Sequence, residues 1–147
     1  MTARSLEWLL AAQRALRSRF DDFVRALRRN DVAALDVALD DFAQHLVRWT
    51  EAEEAALVPA VARVAIVGRD PRRELRLEYI QLRELTRFLQ RQREERVKPE
   101  HLAGYVENLD RRLAAHEREK SKVYYPVAAG SLTDEEWSSL EHACPPP

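Results

Sequence analysis

The chain has 147 residues, 46% hydrophobic and 33% charged, with 24 Lys and Arg against 25 Asp and Glu and only three glycines. A net charge of −1 excludes a nucleic-acid role driven by bulk electrostatics, and no uncharged run, Ala55–Ala62 being the most apolar, is long enough to cross a bilayer. One cysteine, Cys144, excludes an internal disulfide framework and a cysteine zinc site.

Ser5–Gln13 is too short and too charged at its edges for a secretory signal. The expectation is a soluble, cytoplasmic protein folded as one domain over 1–147, with no membrane or nucleic-acid partner. Scarce glycine, abundant Ala, Leu, Arg and Glu, and few β-branched residues outside Val61–Val67 predict an all-α protein. Only Lys98, Lys120 and Lys122 are lysines, a skew toward arginine read as GC-rich coding.

Ser5 suits the N-cap of a first helix running to about Arg29, with Asn30-Asp31 as the break. Asp31 caps a second helix that continues toward Pro59, whose missing N–H kinks or ends it. Gly68 suits a C′ position, and Asp70-Pro71 reads as an N-cap followed by proline at N1, opening a third helix. Lys98-Pro99-Glu100 starts a fourth, expected to end near Pro126. Thr133 to Glu136 has the capping-box pattern for a short terminal helix over about 133–141, and Cys144–Pro147 is expected to fray.

Each long segment carries one apolar stripe at three- and four-residue spacing. The first is Leu6, Leu9, Gln13, Leu16, Phe20, Phe23 and Leu27; the second is Leu35, Leu39, Phe42, Leu46, Trp49, Glu53 and Leu57. The third is Leu75, Tyr79, Leu82, Leu85 and Leu89; the fourth is Leu102, Tyr105, Leu109, Leu113, His116, Lys120 and Val123. Four amphipathic helices with short connections predict an antiparallel up-down four-helix bundle with a core over about 5–127.

The informative positions are those where the stripes are interrupted. Gln13, Trp49, Glu53, Tyr79, His116 and Lys120 stand toward one level of such a bundle, where polar side chains from all four helices build metal or ligand sites. A buried carboxylate or ammonium costs several kcal/mol unless it is paired, so Glu53 and Lys120 require partners. A shift of 67 residues (53 to 120) lays Phe42, Leu46, Trp49, Glu53, Leu57 and Pro59 over Leu109, Leu113, His116, Lys120, Tyr124 and Pro126. In both copies the residues at i and i+4, Trp49 with Glu53 and His116 with Lys120, share a helix face.

The segments Phe42–Pro59 and Leu109–Pro126 resemble the His-x-x-x-Glu…Pro segments of hemerythrin-like (HHE cation-binding) domains. Leu10–Arg17 is similar to that family's first-helix histidine segment, with Gln13 at the histidine, and Leu77-Glu-Tyr-Ile80 to its third-helix Glu-His segment, with Tyr79 at the histidine. Leu132–Trp137 is similar to its terminal helix. The resemblance covers about 5–140. It implies a bundle that, in other members, holds two irons between the helices and handles oxygen, nitric oxide or iron. Residue by residue it leaves only Glu53 and His116 as ligands. Gln13, Trp49 and Tyr79 stand at histidine positions and Lys120 at a carboxylate position. Two ligands cannot hold a di-iron pair, and an ammonium repels a cation while replacing its charge. No cofactor is therefore expected.

Alternatives stay open for each group. Glu53 and Lys120 form a cross-helix ion pair, or Lys120 is a perturbed base, or one of the two snorkels to the helix edge. His116 is a core histidine hydrogen-bonded to Tyr79 or Gln13, or a ligand for a single ion. Trp49 and Tyr79 fill the core, or line a pocket for a small apolar or aromatic ligand. His45 and His101 carry less weight, and His142 with Cys144 is a weak two-ligand metal candidate in the tail. Arg69, Arg72, Arg73 and Arg76 form a basic cluster that is paired with Glu74 and Glu78, or meets an acidic or phosphate partner. The function expected is a non-enzymatic, metal-free regulatory, sensory or partner-binding module, alone or as a homodimer, for an unidentified protein or small ligand. The alternative is one iron or zinc on Glu53 and His116, with a role in iron, oxygen or nitric-oxide handling.

Overall fold

A computed structural model describes residues 3–64, 66 and 68–144; the expected fraying at 145–147 lies outside them. The described residues are helical with no strand. The long helices are α1 (Leu6–Arg28), α2 (Val32–Ala55), α4 (Pro71–Glu94) and α5 (Ala103–Glu119), with the short α3 (Leu57–Ala62) between the second and third of these. A five-residue π turn, Lys120–Tyr124, leads from α5 into α6 (Tyr125–Ala129), and α7 (Asp134–Ala143) ends the described fold.

The starts are set by local chemistry that the sequence displays. Ser5 accepts from the Trp8 N–H, Asp31 from that of Ala34 and Asp70 from that of Arg73, so each first turn has a side-chain partner for an otherwise orphaned donor. At α7 the capping box is reciprocal: Thr133 Oγ1 accepts from the Glu136 N–H at 3.1 Å and Glu136 Oε1 accepts from the Thr133 N–H at 2.9 Å. Arg63 reinforces it, and its guanidinium beside the Glu136 carboxylate is the main cause that holds that group down at about 2. The chain reverses after α1 at Asn30 (φ 52) and after α4 at Arg96 (φ 61), both left-handed.

Four boundaries differ from expectation; one is the fourth segment, expected to end near Pro126, which stays helical to Ala129. The second helix breaks at Ala56, three residues before Pro59, and resumes as α3 with Pro59 inside it. The proline ring crowds the carbonyl four residues back, so the strain is released upstream of the proline itself. Gly68 does adopt a positive φ of 73, but α3 has already stopped at Ala62, so the glycine shapes the connection rather than capping the helix. The fourth segment opens with a 3-10 turn, Pro99–His101, before α5 begins.

α1 packs on α2, α2 on α4, α4 on α5 and α5 back on α1, while α3 and α6 close one end and α7 lies along α2. The stripes meet inside this ring. Phe20, Phe23 and Phe42 are fully buried, with Phe20 edge-on to Phe42 at 5.2 Å. Each such side chain contributes about 1.5–3 kcal/mol by burial. Towards α7, Trp8 bridges Trp49 (6.2 Å) and Trp137 (5.9 Å). Of the stripes, Leu6, Leu27 and Leu85 are only half-buried, and two further positions are corrected. Tyr105 is 48% exposed and stacks edge-on against Phe88 at 4.9 Å, and the neighbouring Val106 takes the core position. Val123 is only half-buried, because the π turn delivers Tyr124 and Tyr125 to the interior instead.

Candidate functional site

Glu53 stands in the last turn of α2 and is fully buried, and Lys120 opens the π turn with 3% exposed. The Lys120 ammonium donates to Glu53 Oε1 at 2.8 Å. The Tyr125 hydroxyl donates to Glu53 Oε2 at 2.9 Å, so both carboxylate oxygens are engaged. Tyr125 reaches this position because of the π turn. Its N–H bonds to the carbonyl of Lys120, five residues back, immediately ahead of Pro126, which has no N–H to continue the ladder. One residue is thereby absorbed, and Tyr125 returns to the face of Lys120, whose ammonium lies 5.2 Å from the phenol ring. Burial first, and then the Glu53 carboxylate, hold the Tyr125 hydroxyl well above its ordinary value, so it acts as a donor. The snorkelling alternative for Glu53 or Lys120 does not occur.

His116, 3% exposed on α5, does not bond to Tyr79 or Gln13 as expected. Its Nδ1 meets Glu78 Oε2, and Tyr79 packs edge-on against the imidazole at 5.3 Å. Glu78, like Tyr125, is a residue that sequence reasoning misses. It sits next to Tyr79 on α4 and reads as a surface partner for arginine, whereas its side chain crosses to α5. The Tyr79 hydroxyl is buried and has no hydrogen-bond partner among the described residues; burial, then Glu53, pushes it far above the usual phenol range.

Burial is the chief cause that lowers the His116 imidazole below its ordinary 6.5, with Lys120 in the same direction and Glu78 opposing. A folded-state value below the unfolded one means the unfolded chain takes up the proton first. Stability is therefore fully present above about 6.5 and falls as the pH drops below it. His45, also lowered chiefly by burial, adds to the same window. Urea unfolding across this range is expected to show a slope that His116→Gln reduces while His45→Gln leaves the His116 part in place. An NMR titration that protonates His116 above 6.5 would contradict it.

Gln13 on α1 donates to the Glu117 carbonyl (3.3 Å) and to Ser121 Oγ (2.9 Å), which ties α1 to the end of α5. Trp49 is fully buried; its indole N–H favours ionisation of the Tyr125 hydroxyl, against burial and Glu53, but does not reach hydrogen-bond geometry. Between Gln13, Trp49, Thr50, His116 and Lys120 lies a void of about 10 Å³. That is roughly the room one water needs, so the small apolar or aromatic ligand weighed from sequence does not fit this closed pocket. His45 reaches Asp41 at 3.4 Å, His101 is exposed, and His142 and Cys144 stand at the end of α7.

The structure thus brings Gln13, Trp49, Glu53, Tyr79, His116 and Lys120 to one level, together with Glu78 and Tyr125. The donor set does not fit two irons. Glu53 spends both oxygens on Lys120 and Tyr125, His116 offers only Nε2, and Trp49 supplies an N–H donor rather than a lone pair. Among the described residues no three His, Cys, Asp or Glu side chains are grouped as a metal site, and no helix is long and apolar enough to cross a membrane. No protein-family model matches the chain, and no curated protein or solved structure matches it either.

Proposed function

We propose that the chain is an up-down four-helix bundle of hemerythrin-like type whose di-iron level has become a metal-free polar core, and that it acts as a non-enzymatic regulatory, sensory or partner-binding module of the cytoplasm. One observation carries the reading. An ammonium, Lys120, sits 2.8 Å from Glu53 on the opposite side of the core, where the resemblance places a bridging carboxylate and its metal. A cation fixed in the chain supplies the charge that a bound cation would otherwise supply. The cyclic contacts of α1, α2, α4 and α5 support the bundle topology, and a short α7 is present where the resemblance expects a terminal helix.

Protein expressed in iron-supplemented medium is expected to be colourless and to contain no stoichiometric iron by elemental analysis. About two irons per chain would overturn the reading. One iron or zinc per chain, lost in His116→Ala, would instead establish the mononuclear alternative, for which the open Nε2 of His116 is the specific support.

A further inference from the structure

Of the arginine cluster at the start of α4, only Arg69 keeps a partner that sequence assigns to it, Glu74. Glu78 turns inward to His116, and Glu74 is held by the Tyr124 hydroxyl and by Arg69, which also binds Glu119. The two other carboxylates nearby are engaged as well: Asp70 caps α4, and Glu54 binds Arg83 at 2.7 Å. Among the described residues Arg72, Arg73 and Arg76 are left exposed with no carboxylate partner, within five positions of one helix. They line a groove of about 700 Å³ between α3 and α4 with the apolar Val58, Pro59, Leu77 and Ile80, and the engaged Glu54 and Asp70 lie in the same lining. Leu77 is 49% exposed and Ile80 37%, one turn apart on the same face.

We infer that this groove is a docking site for an acidic amphipathic segment of a partner protein. Guanidinium groups select carboxylates through paired N–H donors, and they are weakly enough hydrated to give up solvent at an interface. Apolar residues of the partner at helical spacing would cover Leu77 and Ile80 while its Asp and Glu side chains meet the three arginines. A membrane surface fits less well. Recognition of anionic lipid uses larger basic clusters, about four to eight residues, and here the floor is a recess. A nucleic acid would meet a chain with a net charge of −1. The inference rests on the binding-module reading and extends it from the buried Glu53 and Lys120 to an exposed surface, and metal analysis tests that reading separately, so either can fail alone.

The test measures fluorescence anisotropy of a labelled peptide panel carrying Glu and Leu at i, i+4 spacing, against the intact chain. Saturable binding is expected that weakens steeply with added salt. Arg72→Gln, Arg73→Gln and Arg76→Gln combined should weaken it by about tenfold or more, with unfolding of the variant unchanged. Leu77→Ser with Ile80→Ser should also weaken it, and methyl NMR should place the perturbation on Leu77 and Ile80. No peptide binding, equal binding of the Lys-for-Glu peptides, or undiminished binding by the arginine variant would overturn the inference. So would binding instead to phosphatidylserine vesicles, or self-association in sedimentation that the arginine variant abolishes, which would assign the groove to lipid or to a second copy.

Discussion

Glu53→Gln and Lys120→Met are each expected to lower the free energy of unfolding by about 3–5 kcal/mol, and the double variant to recover most of that loss. The two groups are 0% and 3% exposed and 2.8 Å apart, so either one alone is a buried charge without its counter-charge. Removing both removes the desolvation cost along with the attraction. The side-chain amide that Glu53→Gln introduces keeps a carbonyl to accept from the Tyr125 hydroxyl, which prevents a second buried orphan. A double-mutant cycle by denaturant unfolding gives the coupling directly. Additive losses would show that the pair is not coupled, and the charge-substitution argument would fall with it.

Trp49→Ala is the other change with a large expected effect, about 3–5 kcal/mol. The indole is fully buried between α1 and the polar level and contacts Trp8, which in turn lies edge-on to Trp137 of α7. Truncation opens a cavity next to an existing void of about 10 Å³, where rigid neighbours on four helices leave little scope for collapse. Because Trp8 loses its support, the docking of α7 should weaken too, seen as faster hydrogen exchange in Trp137 and Leu140. A loss below about 1 kcal/mol would mean that the indole is not filling core volume.

What the sequence discloses follows from how local the cause is. Ser5, Asp31, Asp70-Pro71 and the Thr133–Glu136 pair act within one turn of helix, so their residue types alone indicate the starts. The 67-residue offset places Glu53 opposite Lys120 because the interior positions repeat with helical period, and the contact follows. Glu78 is different: its stripe position is ambiguous between the interior edge and the surface, and only the approach of α5 decides that it meets His116. Tyr105 loses to Val106 because both lie within the apolar arc of α5, and the larger ring finds Phe88 at the rim. Tyr125 is hidden from any constant-period reading, since the π turn changes the period just before it.

That turn also bears on how such a chain can change over generations. Residues of the segment can be exchanged where they face solvent, as Lys122 does, without altering which residue follows Lys120 onto its face. The loss of one solvent-facing residue there is tolerated as well. The widened turn would relax to ordinary helix, with Tyr125 four residues after Lys120 instead of five and still on the same face. The Tyr125 hydroxyl would keep Glu53, Ala128 the interior and Ser131 the Ala60 carbonyl, whereas loss of a second residue would rotate everything downstream by about 100° and break all three. Descendants of this sequence are therefore free to vary here in composition and to lose the one absorbed residue, but not a second.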